Sequence, residues 1–160
     1  HCDQHLHKMI LESAQMVSTA MIAREFDIPG LYKPTHINHP CTKWAAESNH
    51  NILWICELAA ELDSIRQSVS NCGSHASMDI VNLVQDYLES EFGFLASNAH
   101  SPFIFAGPAI ISIRPGSTVD HYRQYYRKKH NNWLLDKGVG MTYKGRSVPD
   151  FMADLASTTK

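Results

Sequence analysis

DQHLHKMILESAQMVSTAMIAR, residues 3–24, decides how the rest of the chain is read. Leu6, Ile10, Val17 and Met21 recur at the spacing of one helix face, and Asp3 precedes them as a candidate N-cap, so the stretch predicts a helix. The next stretch, 25–41, holds three prolines and a glycine and reads as a long ordered loop, a kind of segment that is often functional inside a compact domain. Residues 42–69 predict one long helix with Trp44, Ile52, Ile55, Leu58, Leu62 and Ile65 on or near one side. Residues 76–92 predict another, with Ile80, Val81, Val84, Tyr87 and Leu88 inward. Residues 93–117 look irregular. PFIFAGPAIISI (102–113) has the residues of a short strand, but its prolines oppose a central one. A last long helix spans 118–138, with Thr118 or Asp120 near its cap, and one more turn or two follow Pro149. The class expected is all-α: a compact, single-domain helical fold with long ordered loops.

Bulk composition fits that class. The chain has 160 residues, 44% hydrophobic, which suits one domain with a single core. Charged residues are 19% and the formal net charge is -2, so any nucleic-acid contact needs a local basic face. The four cysteines, Cys2, Cys41, Cys56 and Cys72, form no CxxC pair and suggest free thiols in a reducing compartment. No apolar run reaches the ~20 residues of a membrane span, and no signal peptide is recognisable. The first residue is not Met and already lies in a helix-like pattern, which suggests a natural start further upstream.

Chemistry concentrates on the first helix. At about 100° per residue, His5, Lys8, Glu12, Gln15 and Thr19 fall within an arc of roughly 80°. They are expected as one polar ridge along the edge of the buried face. A carboxylate four residues from an amine suits acid–base or nucleophilic work, and equally suits an exposed ion pair of small energetic weight. His1, Cys2 and His5, with His36, His39 or Cys41, are residue types that bind zinc, but their spacing matches no structural zinc pattern.

Two further stretches carry polar function. YKPTHINHP groups Tyr32, Lys33, His36, Asn38 and His39 on a proline-stiffened segment. It is read either as part of a site or as the entry that caps the Trp44 helix. HYRQYYRKKHNNW interleaves Arg123, Arg127, Lys128, Lys129 and His130 with Tyr122, Tyr125, Tyr126 and Trp133, a mixture suited to a phosphate backbone with an unstacked base. Its aromatics are expected mostly in the core and its cations mostly toward phosphate. Lys144 and Arg146 extend the patch.

DQHL followed by Glu12, NHPCTKW (38–44) and HYRQYYRKKH (121–130) together resemble the phage-type pyrimidine-dimer DNA glycosylases, the endonuclease V of UV repair. The resemblance covers scattered blocks of about two thirds of the chain and implies an endonuclease V-like fold that binds duplex DNA and extrudes a base. It implies a glycosylase/AP lyase of phage origin, working in the cytoplasm of an infected bacterium, with no cofactor. Glu12 matches the family's catalytic glutamate, with Lys8, His5 and Gln15 around it. His36, Asn38, His39, Arg123, Arg127, Lys128 and Lys129 are then DNA-binding. The chain departs from the family in two places. The family's α-amine nucleophile lies upstream of DQHL, and Leu11 and Gln15 stand where arginines flank the glutamate. A non-catalytic DNA-binding or virion-associated relative, or a nucleotide or modified-base enzyme of phage DNA hypermodification, are the alternatives.

Overall fold

The computed structural model describes residues 1–93, 97–112 and 115–156. Among them it is all-α: seven α-helices and two short 3₁₀ turns, with no strand. Within the strand-like stretch 102–113, residues 109–112 form a single helical turn, and residue 113 lies outside the described set. The chain divides into two compact units, His5–Ile104 with His1, and Phe105–Lys160 with Cys2–Gln4.

The first unit is built on α1 (Asp3–Ala23). Leu6, Ile10, Ala14, Val17 and Met21 make its buried stripe, as the periodicity predicts. The polar ridge does not flank this stripe. At about 100° per residue it lies nearly opposite, so α1 is covered on two sides. The second cover is the loop after the helix. The Ser18 hydroxyl accepts the Tyr32 N–H at 3.3 Å and donates to the Ala14 carbonyl at 2.8 Å. One turn-face over, the Thr19 hydroxyl accepts the Thr35 N–H at 3.1 Å. Two buried hydroxyls thus satisfy loop amides that would otherwise be stranded against the helix.

The helix expected over 42–69 is two helices, α2 (Pro40–Ala46) and α3 (Asn49–Ser70). Ser48 interrupts them: its backbone is extended and its hydroxyl accepts the Asn51 N–H, which makes it the N-cap of α3. Asn51, fully buried, completes the corner. Its amide donates to the Trp44 carbonyl at 2.6 Å and to the Ser101 hydroxyl at 2.9 Å, and its oxygen accepts the Ser101 N–H. A serine and an asparagine inside a hydrophobic pattern are weak breakers by periodicity alone, yet their local hydrogen bonds compete with the helix. α4 (Met78–Phe92) packs Val81, Val84 and Leu88 fully inward, with Ile80 and Tyr87 half-buried.

The second unit comprises α5 (Ala109–Ser112), α6 (Thr118–Lys137) and α7 (Ala153–Ala156). Ser117 caps α6, beside the Thr118 and Asp120 expected near the cap. Its hydroxyl accepts the Asp120 N–H while the Asp120 carboxylate accepts the Ser117 N–H, a reciprocal capping box. The small core gathers Cys2, Met141 and Met152, with Tyr126, Trp133, Tyr143 and Phe151 packed around them. Asp3 proves to be inside α1. Its carboxylate accepts the Lys144 N–H at 2.8 Å and pairs with Arg146. Burial would raise that carboxyl, but these hydrogen bonds win and hold it below the usual aspartate range.

Candidate functional site

Four of the residues singled out in the sequence converge. Glu12 and Gln15 on α1 meet His36 and His39 on the loop around a pocket of about 210 Å³, completed by Met16, Thr35 and Thr42. The pocket exists because Thr19, one turn beyond Gln15, holds Thr35 in place by its hydroxyl. Thr19, expected on the polar ridge, is buried and structural. Nothing in the sequence pointed to Thr35, Met16 or Thr42.

The loop presents its imidazoles through a tight turn in which the His39 N–H donates to the His36 carbonyl at 2.8 Å. His36 has φ 50°, a left-handed conformation uncommon for residues other than glycine, although histidine adopts it more readily than most, and such conformations cluster at functional sites. Its Nδ1 lies 2.8 Å from the Thr35 hydroxyl. His39 is the N-cap of α2, with Pro40 at the first helical position. Its Nδ1 accepts the Cys41 N–H at 3.2 Å, which leaves the ring proton on Nε2. His39 therefore both caps α2 and lines the pocket, so the two readings of this segment hold together. Asn38 is exposed and is not among the lining residues.

Lys8 reaches the same carboxylate from outside, with Nζ 3.2 Å from Glu12 Oε1. Its side chain is 68% exposed and that of Glu12 40%, so the pair stands at the rim. His5, buried, lies outside the pocket lining, its ring 6.3 Å edge-on from that of His1. Cys2 belongs to the second unit's core, and among the described residues no group of three or more His, Cys, Asp or Glu is arranged to hold a metal ion.

The basic helix differs from its expectation at Arg127. That guanidinium does not reach outward free. It grips both carboxylate oxygens of Asp154 and the Phe151 carbonyl, each at 2.6 Å. The hydrogen bonds pull the Asp154 carboxyl down to about 2. Arg123 sits 3.7 Å from Asp120. Lys128 is exposed, and Lys129 lies over the rings of Tyr125 and Trp133 at 5.9 and 5.3 Å. The aromatics are half-buried, while the buried positions of α6 are His121 and His130. Arg146, expected to extend the patch, is turned to Asp3.

No family model, no curated protein and no solved structure matches the chain. Among the described residues no helix is long and apolar enough to cross a membrane.

Proposed function

We propose that the Glu12 pocket is the acid–base centre of a DNA base-excision enzyme, a glycosylase/AP lyase of the endonuclease V type, acting on damaged or modified pyrimidines in duplex DNA. The observation that carries this reading is the convergence of Glu12, Gln15, His36 and His39 on one pocket, with the Lys8 amine 3.2 Å from the Glu12 carboxylate. In the lyase step the Lys8 amine adds to the C1′ aldehyde of an abasic sugar, and loss of water leaves an imine. Glu12 then takes the proton from C2′, and the 3′ phosphate departs with the electron pair. On this reading the His39 Nε2–H and the Gln15 amide, both lining the pocket, hydrogen-bond the sugar hydroxyl. At about 210 Å³ the pocket is smaller than the ~300–1,000 Å³ of sites that hold a whole drug-sized ligand, which suits a single extruded base or sugar.

The exposed Lys8–Glu12 pair also favours a second reading, a non-catalytic DNA-binding relative in which the pair is ordinary surface. Incision of an abasic-site duplex separates the two. The full chain is expected to cleave, Glu12→Gln to slow cleavage about 10²-fold or more, and Lys8→Ala to abolish it. Equal cleavage by wild type and Glu12→Gln, or none by wild type, overturns the enzyme reading.

A further inference from the structure

The ion pair that joins α6 to the C-terminal turn has the geometry of a phosphate contact. Arg127 presents both terminal nitrogens of its guanidinium to Asp154, Nη1 to Oδ1 and Nη2 to Oδ2, each at 2.6 Å. Arginine grips a carboxylate and a phosphate in this same planar fork, through two parallel charged hydrogen bonds. The pair stands at the surface, with its side chains 36% and 65% exposed. A pair so placed contributes little to stability. The turn is anchored without it. Met152, 1% exposed, is sunk in the small core, and Phe151 packs against that core with the Arg123 guanidinium 5.8 Å over its ring. Arg123 has a carboxylate of its own, but Asp120, 3.7 Å away, is engaged in the capping box with Ser117.

Arg123 and Arg127 lie one turn apart on α6, and exposed Lys128 adjoins them. Cations in such a row suit successive phosphates of a nucleic-acid backbone. Asp154 occupies the place of one phosphate, and its carboxyl, held at about 2, stays ionised at physiological pH. We propose that the Arg127 fork is a backbone-phosphate contact for duplex DNA and that Asp154 masks it in the free protein, so that a phosphate must displace this carboxylate before the α6 face engages. The inference rests on the duplex-DNA reading of the chain and not on the lyase chemistry. A fork held occupied lowers the apparent affinity by the fraction of molecules in which it is open. The duplex still displaces Asp154, because its neighbouring phosphates reach Arg123 and Lys128 at the same time, which one carboxylate does not.

Fluorescence-anisotropy titration of the full chain with an intact duplex, at about 0.1 M salt, tests the mask. Asp154→Asn is expected to bind about fivefold more tightly than the wild-type chain. Asp136→Asn removes the same charge from an exposed position more than two turns further along α6, beyond the ~10 Å screening length, and is expected to change affinity by less than about twofold. In an Arg127→Ala background the gain from Asp154→Asn is expected to shrink to less than about twofold, because the fork it would free is gone. A gain no larger than that of Asp136→Asn, a gain that persists in the Arg127→Ala background, or no binding by either the wild-type chain or Asp154→Asn overturns the proposal. A chain that binds with the expected pattern but cleaves no abasic site keeps this inference and loses the lyase, and cleavage without the pattern does the reverse.

Discussion

At the scale of single residues, the same helix carries polar groups of opposite character. Glu12 and Lys8 are solvated at a pocket rim, and an i,i+4 pair of that kind contributes only about 0.3–0.5 kcal/mol. Glu12→Gln should therefore leave the thermal midpoint nearly unchanged while it removes the acid–base group, and a midpoint drop of several degrees would mean that Glu12 is structural instead. Thr19 is the converse case. Its buried hydroxyl accepts the Thr35 N–H, so Thr19→Val should cost about 1–3 kcal/mol and loosen the histidine loop. Urea denaturation measures that loss. The ridge was legible because five side chains share one helix face, but burial within it was not. A threonine at helical spacing reads the same whether water or a loop backbone covers it.

Elements were legible where hydrophobic period dominates and illegible where a local hydrogen bond overrides it. The Leu6–Met21 stripe and the inward face of α4 followed the pattern. The break between α2 and α3 did not, because Ser48 and Asn51 compete through side-chain bonds that leave the apolar spacing intact. Charge neutralisation was hidden for a similar reason. Arg127 meets Asp154 across 27 positions of sequence, a pairing that a scan for basic clusters does not see. Asp63, in the later half of α3, gathers four partners. It accepts from Arg66, Gln67, Ser74 and the His75 N–H. Burial would raise its carboxyl, but these donors hold it below the usual range. Asp63→Asn leaves the half-buried Arg66 guanidinium uncompensated, and a loss of about 3–5 kcal/mol in urea denaturation is expected. A loss below 1 kcal/mol would show that water takes over the donors.

For the molecule as a whole, stability should depend on pH through one histidine pair. His75 Nδ1 accepts the Ser77 N–H at 3.0 Å, so its proton sits on Nε2, 3.3 Å from His7 Nε2 of α1. Protonating either ring sets two donors face to face. Burial, with the nearby His7 and Arg66 charges, lowers the His75 pKa from its ordinary 6.5, and Asp63 opposes this only in part. A histidine with a depressed folded pKa stabilises fully above its unfolded value, and that contribution is lost as pH falls through the folded one. Stability in urea should hold from pH 8 to about 7 and fall below about 6.5. His75→Gln should flatten that fall, and an unaltered profile in this variant would exclude the pair as its origin.

The central claim is that Lys8 and Glu12 form a nucleophile and a proton acceptor at one pocket. Borohydride reduction during reaction with abasic-site duplex DNA, followed by mass spectrometry of the cross-linked peptide, tests it most directly. The account expects a covalent adduct at Lys8 in both the wild-type chain and Glu12→Gln, with strand cleavage slowed about 10²-fold or more only in the variant. An adduct at another residue, or no adduct from the wild-type chain, would contradict it.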